Sequence, residues 1–458
     1  MRFRTPVAAV FVSVAAAFTF SWHASAQSSR QPSSLTASRA ASASAAALMP
    51  APNPEALGFD SQRLAKLDAY MAKAVADGRV AGMSTLLARH GQIVSEKTYG
   101  ARSLATGAPM TRDTIFRLYS MSKPITGVAM MMLFEDGRWQ LDDPITKFVP
   151  EFKALKVMTG ADADGHRSIQ DMKRPPSMRE LMSHTAGFGY GLGDQHPVDK
   201  LYREKGVLSA NGLADMIKRT AEIPLMFQPG TNWSYSSAVD IQGFIVEKLS
   251  GQKFGEFLQQ RIFKPLKMTD TAFYVSHDKA NRLAAVYVGN QKTSKIEEAK
   301  QLFGVDMPTY LEPPPMESGG GGLVGTIGDY ARFAQMIANK GELDGARLLS
   351  PASVEMMGTN MIPKNVLVGS NGIGVTRFNE AVGFGLDFMV VNDPRAAGTL
   401  EGKGSMSWGG AAGTWFWVDP TNDLIFVGMI QRMGDTGGDP LGTMARTLTY
   451  QALTHPER

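Results

Sequence analysis

Three serine–lysine pairs in the chain have the spacing Ser-x-x-Lys, which can place an amine beside a hydroxyl on one face of a helix. They are Ser120/Lys123, Ser250/Lys253 and Ser276/Lys279. A serine hydroxyl is a weak nucleophile and needs a base. A lysine amine, with an ordinary pKa of about 10.4, acts as one only after desolvation or with a partner. The spacing alone is common, so the surroundings of each pair must separate them.

Ser120 has the surroundings that a nucleophile needs. It follows a short apolar segment and opens a predicted helix, which the apolar residues 125–134 continue as a buried element. Backbone amides at a helix N-terminus favour developing negative charge. Ser250 ends a helical pattern and Ser276 lies in a polar stretch, so neither offers a buried amine. Taken alone, Ser120 and Lys123 have an alternative interpretation as an N-cap and a surface lysine.

Two later segments could complete a site around this serine. The phenol of Tyr235 could share a proton with a nearby ammonium and relay it, although Tyr235 could also simply pack before the predicted helix 239–249. The segment Trp408–Ala411 lies on a late predicted strand, and its paired glycines admit close approach of another molecule. Free N–H groups there could stabilise an oxyanion. The alternative for this segment is a β-bulge.

Several other chemistries are excluded or disfavoured. The chain has no cysteine, and none of its 7 histidines has a second one three or four positions away, which disfavours thiolate and histidine metal sites. The run 320–325 fits a dinucleotide fingerprint by letter, but a proline-rich segment precedes it, so we interpret it as a flexible loop before a helix capped by Thr326. A net charge of +4 without a basic cluster disfavours nucleic-acid binding. We expect no metal and no cofactor.

The first residues have the features of an export signal. An apolar stretch at 6–20 follows two arginines, and small residues at 24–26 suit signal peptidase, so residues 1–26 are predicted to be a signal peptide. An uncleaved anchor is the alternative. Residues 27–52, rich in Ser, Ala and Pro, are predicted to be a disordered linker. We therefore expect a periplasmic or secreted protein without stable membrane insertion after cleavage.

The remaining chain predicts an α+β fold. Strand patterns occur at 81–101 and again between 384 and 430, with mainly helical patterns between them. This order predicts one antiparallel sheet built from both chain termini and flanked by a helix from each end. The α/β lobe would comprise about 53–120 and 346–458, and a large helical insertion would comprise about 121–345.

Together, the three motifs resemble those of the serine β-lactamase and penicillin-binding protein superfamily. The motifs are Ser120-Met-Ser-Lys123, Tyr235-Ser-Ser237 and Trp408-Gly-Gly410. Within it, the class C branch and its family VIII carboxylesterases are most similar. The likeness covers most of residues 55–450 and includes 181–187, where we interpret His184 as structural. It implies that 53–458 forms a β-lactamase/transpeptidase-like domain.

The resemblance also implies roles for individual residues. Ser120 would be the acylated nucleophile, with Lys123 and Tyr235 as the proton-transfer pair. The N–H groups of Ser120 and Ala411 would form the oxyanion hole. No cofactor is needed, and a small-molecule ester is the expected partner; the sequence makes no prediction of oligomeric state.

Two departures from the superfamily pattern bear on the substrate. Trp408 stands where β-lactamases and D-Ala-D-Ala peptidases carry a lysine, and Ser237 stands where they usually carry an asparagine. The lost cation would have paired with a substrate carboxylate, whereas an indole offers an apolar wall with one N–H donor. We therefore expect an ester of modest size with little negative charge.

The predicted substrate-binding residues comprise the late strand and a set of aromatic side chains. They are Trp408, Gly409, Gly410, Ser237, Phe188, Tyr190, Phe384 and Trp415. The alternative for each aromatic residue is a place in the core. Two alternatives for the whole protein are a β-lactamase or D-amino-acid peptidase or amidase, and a non-catalytic penicillin-binding-like protein.

Overall fold

The predicted signal peptide and most of the predicted linker lie outside the part of the chain that the structure, a computed structural model, describes. The described residues are 48–161, 167–193, 196–290, 295–302, 305–364, 366, 378–434 and 436–457. Among them, no helix has both the length and the apolar character that a bilayer crossing requires.

The end of the predicted linker is ordered, which corrects the predicted boundary at residue 52. Met49–Pro50 pairs in parallel with the strand that begins at Gln92, and the Ala51 amide donates to the Ile93 carbonyl at 2.9 Å. The edge of that strand offers unpaired backbone groups. Leu48 packs against the main core, so an apolar contact adds to this pairing.

A central sheet and a set of helices account for most of the described residues. The sheet strands are Met49–Pro50 (β1), Gly82–Arg89 (β2), Gln92–Ser103 (β3), Ala108–Pro109 (β4), Val382–Phe384 (β5), Met389–Val391 (β6), Met406–Gly409 (β7), Trp415–Asp419 (β8) and Leu424–Met429 (β9). The α-helices are Ser61–Ala76 (α1), Ser122–Glu135 (α2), Met178–Met182 (α3), Pro197–Glu204 (α4), Leu213–Ala221 (α5), Ala238–Ser250 (α6), Phe254–Leu258 (α7), Ile327–Ala338 (α8), Pro351–Met357 (α9), Pro394–Ala397 (α10) and Leu441–Ala452 (α11).

Shorter elements connect these parts. Small sheets pair Phe116–Arg117 with Val324–Gly325, Lys156–Ala161 with Arg167–Asp171, Gln301–Leu302 with Val305–Asp306, Glu342–Leu343 with Ala346–Arg347, and Tyr287–Asn290 with both Lys295–Glu298 and Arg432–Met433. The 3-10 helices are Pro54–Leu57, Tyr119–Met121, Ile145–Lys147, Pro150–Ala154, Val207–Ser209 and His277–Arg282, and Gln259–Phe263 forms a π-helical turn.

The central sheet joins the two ends of the domain. Its order is β1-β3-β2-β9-β8-β7-β6-β5, with β4 on β3 and every pair after β1 antiparallel. N-terminal β2 pairs directly with C-terminal β9, and both strands are buried along their whole length. Such strands are covered on both faces, which explains the apolar sequence of β9, whereas β2 also buries Ser84, Thr85 and Arg89. The predicted α+β fold is confirmed.

Helices from different parts of the chain cover the two faces of the sheet. On one face α1 and α11 pack on Trp417, whose ring stacks on Phe426 at 4.4 Å. On the other face α8 packs on β8 and β9, and its Tyr330 ring meets Phe416 at 4.9 Å. Successive strand residues point to opposite faces, so Trp415 lies on the Trp417 side. Helix α8 therefore covers the sheet, although it lies within the range predicted for the helical insertion.

Helix α8 also connects the sheet to the turn that carries Ser120. Thr326 caps it as predicted, with its side chain accepting from the Asp329 amide at 3.2 Å. The Tyr330 hydroxyl donates to the Met121 carbonyl at 2.9 Å, and both residues are buried. Helix α2, which follows, is buried on all sides from Ser122 to Leu133 and packs against α6. The turn is thus held between the sheet and the core of the insertion.

Replacing Tyr330 with Phe should lower the free energy of unfolding by about 1 kcal/mol, because the ring contacts remain while one buried hydrogen bond is lost. Tyr274→Phe is the control, since Tyr274 is 41% exposed, and its effect should stay within about 0.5 kcal/mol. Urea denaturation followed by tryptophan fluorescence measures both. Equal effects of the two substitutions would contradict the stabilising role of the Tyr330 hydroxyl.

Candidate active site

Ser120 lies in a tight turn immediately before α2. The 3-10 helix Tyr119–Met121 carries it, after a short strand at 116–117 that pairs with Val324–Gly325. Tyr119 has φ 46°, a left-handed conformation that is uncommon for a residue with a side chain. Such strain persists only where surrounding contacts enforce it, and it is concentrated at functional sites. Ser120 itself is half-buried and borders a cleft.

Lys123 follows one helical turn later and points its amine at Ser120. The side chain is fully buried, and Nζ lies 3.3 Å from Ser120 Oγ. It also donates to the Tyr190 hydroxyl at 3.0 Å and to the Gly320 carbonyl at 2.6 Å. An ammonium has three N–H donors. All three are therefore used, each on an uncharged acceptor.

The protonation of this lysine follows from its neighbours. Burial disfavours the charged amine, but the phenols of Tyr190 and Tyr235 raise the pKa of Lys123 above its ordinary value. Burial likewise raises the pKa of Tyr190, which keeps its phenol neutral. The amine is thus an ammonium that donates to Ser120. In that state it cannot receive the serine proton, so another group must do so.

Tyr235 lies beside this ammonium, just before α6. Its ring centroid is 4.5 Å from Lys123 Nζ and 5.3 Å from the ring centroid of Tyr190. The Tyr235 hydroxyl is buried and has no partner in hydrogen-bonding geometry among the described residues. A phenol held next to an ammonium can accept or donate a proton. The structure thus brings Ser120, Lys123 and Tyr235 together.

His184 supports Tyr235 from behind. Its ring is 5.1 Å from the Tyr235 ring, and its Nδ1 is hydrogen-bonded to Ser236 Oγ at 2.9 Å. Burial lowers the pKa of His184 well below its ordinary value, so the ring is neutral. These contacts agree with a structural role for this histidine.

The end of β7 packs directly on the turn that carries Ser120. A Cβ on Gly410 would lie 2.3 Å from the Leu118 carbonyl oxygen, so only glycine fits there. Thr414 Oγ1 donates to the same carbonyl at 3.2 Å. Ser120 and Ala411 border one cleft, and the amide of Ser120 lies in a first helical turn, where N–H groups lack intrahelical partners. The arrangement can present two amides to an oxyanion.

The cleft has a volume of about 550 Å³ and a mostly apolar wall. Leu192 and Leu208 line one part of it, and Pro313–Pro315 with Met316 line another. Among the described residues that line it, Glu312 is the one with a formal charge. Apolar walls with a few polar groups are typical of small-molecule sites.

Three predicted substrate-binding residues lie away from the cleft. Trp415 lies on the opposite face of the sheet, where it packs against Gly442 of α11; it neighbours Gly409 across the ladder, but its side chain points away from the cleft. Phe188 is a core residue, with its ring 5.2 Å from that of Phe152. Ser237 is fully buried, and its hydroxyl faces Tyr202.

The remaining predicted residues lie at or behind the site. Tyr190 borders the cleft and hydrogen-bonds Lys123. The half-buried Trp408 lies behind Tyr235 at a ring distance of 5.5 Å, and Phe384 packs behind Trp408 at 5.2 Å.

Sequence reasoning missed the glycine loop 319–322, which was interpreted as flexible. A Cβ on Gly319 would lie 2.6 Å from the Val239 carbonyl oxygen, and one on Gly320 would lie 2.7 Å from Asp240 Oδ2. These glycines are required by close packing on α6. The signal in the sequence was four consecutive glycines, since glycine also marks close approach of backbones.

Comparisons with known proteins agree with this fold and site. The Beta-lactamase family profile matches residues 67–451. An uncharacterized protein of Mycobacterium tuberculosis is 34% identical over 376 residues, covering 80% of this chain and 90% of that protein. Esterase EstB of Burkholderia gladioli is 31% identical over 417 residues, covering 87% of this chain and 98% of the esterase.

A solved structure, "EstCE1, a hydrolase with promiscuous acyltransferase activity", superposes with a TM-score of 0.70 at 26% identity, covering 85% of this chain and 99% of that one. The resemblance predicted from the three motifs is confirmed, and these relatives support a serine hydrolase. The chain belongs to the β-lactamase family.

Proposed function

We propose that this protein is a serine carboxylesterase that hydrolyses small to medium esters through an acyl-enzyme on Ser120. The observation that carries the proposal is the 3.3 Å approach of the buried Lys123 amine to Ser120 Oγ, beside an apolar cleft. Similarity to esterase EstB over nearly the whole of that enzyme supports the same reaction class.

The proton of Ser120 passes to Tyr235 in the first step. The raised pKa of Lys123 keeps its amine protonated, so the amine is not the base in this proposal. The proposal therefore requires Tyr235 to act as general base in its deprotonated form, with the Lys123 ammonium, 4.5 Å from its ring, stabilising the phenolate. Hydrogen bonds of this kind often tighten only when substrate binds.

Acylation and deacylation then use the same groups. The Ser120 oxygen bonds to the ester carbonyl carbon, and the carbonyl electrons move to an oxyanion held by the amides of Ser120 and Ala411. When the intermediate collapses, the departing alcohol takes the proton from Tyr235. A water molecule next attacks the acyl-enzyme, gives a proton to Tyr235 and releases the acid, while the proton returns to Ser120.

The cleft favours substrates with little negative charge. Trp408 occupies the place where the resemblance calls for a substrate-binding cation, and Glu312 is the charged lining residue of the described part. A carboxylate entering this cleft would lose hydration without a compensating cation. Neutral esters with apolar groups avoid that cost.

Ser120→Ala should abolish ester hydrolysis and covalent labelling by a fluorophosphonate, because it removes the hydroxyl proposed to attack the substrate. Ser276→Ala is the matched control, since Ser276 begins an exposed Ser-x-x-Lys sequence. It should keep both activities. Intact-mass spectrometry detects the adduct, and an adduct that survives Ser120→Ala would contradict the assignment.

The two phenols should be separable by substitution. Tyr235→Phe should lower kcat by roughly 10²- to 10⁴-fold, the range for lost general base catalysis. Tyr190→Phe removes one hydrogen bond to the ammonium and should cost only about tenfold. Steady-state kinetics on nitrophenyl butyrate measures both. A larger loss in Tyr190→Phe than in Tyr235→Phe would make Tyr190 the proton carrier.

Substrate charge should govern turnover. Nitrophenyl butyrate and nitrophenyl hemisuccinate carry acyl chains of similar length but differ by one carboxylate, and kcat/KM should be at least about tenfold lower for the anion. Nitrocefin, which also carries a carboxylate, serves as a third substrate. Faster turnover of nitrocefin than of the butyrate would favour the β-lactamase alternative.

A further inference from the structure

A buried carboxyl group that takes no part in the proposed reaction lies close to it. Asp240 is in the first turn of α6, five residues after Tyr235, and is fully buried. It accepts hydrogen bonds from Ser318 Oγ at 2.5 Å and from the Gly320 amide at 3.1 Å. Burying a carboxyl group costs free energy, and hydrogen-bond donors offset only part of that cost. A carboxyl at this place therefore calls for a functional explanation.

Gly320 connects this carboxyl to the lysine. Its N–H is held by Asp240 Oδ1, and its carbonyl accepts from Lys123 Nζ at 2.6 Å. A Cβ at this position would lie 2.7 Å from Asp240 Oδ2 and 3.0 Å from the Tyr190 hydroxyl. Gly320 is therefore enclosed between the Asp240 carboxyl on one side and the Lys123–Tyr190 pair on the other.

The ammonium depends on neutral groups for its orientation. Among the described residues, the acceptors bonded to the Lys123 amine are two hydroxyls and one backbone carbonyl, and none is a carboxylate. Two of its three N–H donors go to Tyr190 and Gly320, and the third goes to Ser120. Because the donors of an ammonium are tetrahedral, fixing the first two acceptors fixes the direction of the third.

We propose that Asp240 is a positioning residue, which holds Gly320 so that the carbonyl of this glycine orients the Lys123 amine toward Ser120. The inference rests on the proposed function, since it assigns Asp240 to the same acyl-transfer step. Asp240 acts through Gly320 and does not touch the substrate. Burial raises the pKa of Asp240, while Ser318, the Lys123 charge and the Gly320 amide oppose that rise, which agrees with a carboxyl tied to this network.

The test compares two buried carboxyl groups near the same lysine. Asp240→Ala should lower kcat by about 100-fold with KM changed less than threefold, since loss of alignment acts on the reacting geometry and not on binding. Asp240→Asn keeps an oxygen acceptor and should recover part of that loss. Asp387→Asn is the matched control. Asp387 is equally buried and its carboxyl interacts electrostatically with Lys123, but it accepts a hydrogen bond from Gln242 and not from the glycine loop. Its kcat should stay within about threefold of wild type.

The rate of fluorophosphonate labelling at Ser120 provides a second readout, independent of ester recognition. It should fall in parallel with kcat in Asp240→Ala and in Gly320→Ala, which disturbs the same link from the other side. Wild-type labelling in folded Asp240→Ala, or an equal loss in Asp387→Asn, would overturn the proposal. If Asp240→Ala does not fold, Gly320→Ala decides by the same criterion, because Asp240→Asn is expected to recover part of the activity. A wild type that is labelled but hydrolyses no ester would refute the esterase function alone.

Discussion

The buried ammonium of Lys123, which among the described residues bonds only to neutral acceptors, is the interaction on which the rest of this site depends. Transfer of a charge out of water is expensive, so Lys123 needs an acceptor for each of its three N–H groups. Three separate parts of the chain provide them: the turn before α2, the segment carrying Tyr190 and the glycine loop carrying Gly320. The insertion must therefore pack closely around α2, which explains why this helix is apolar on all sides.

The turn that carries Ser120 is also fixed from the sheet side. Leu118, just before the strained Tyr119, has its carbonyl bonded to Thr414 and packed against Gly410, while Met121, just after, accepts from Tyr330. These contacts come from β7, the turn after it and α8, which pack on the sheet. A left-handed conformation at Tyr119 persists because both sides of the turn are fixed. Contacts from several elements of the fold together stabilise the strained turn.

The central sheet and the Ser120–Lys123 pair could be predicted from the sequence. The position of Trp415 and the role of the glycine loop could not, for physical reasons. Strand patterns near both ends, with helical patterns between them, predicted the shared sheet, and helical spacing predicted the Ser120–Lys123 contact. Strand alternation does not reveal which face borders a cleft until the neighbouring strands are known, so Trp415 was misplaced. The link from Lys123 to Gly320 spans 197 residues and goes to a backbone carbonyl. No side-chain type in the glycine run signals such an acceptor, and flexibility was the simpler interpretation.

Trp408 stands where the superfamily pattern has a second cation. In that pattern, one cation acts on the reacting groups and another binds the substrate carboxylate. In the lysine-bearing relatives, a second cation would lie near the nucleophile to bind a carboxylate. Here Trp408 instead joins an aromatic cluster with Tyr235 and Phe384. Lys123 then remains the cation next to Ser120 among the described residues, and it is enclosed by protein. In the proposed mechanism, this charge would stabilise a phenolate and an oxyanion without attracting anionic ligands, while the apolar wall of the cleft would favour neutral substrates.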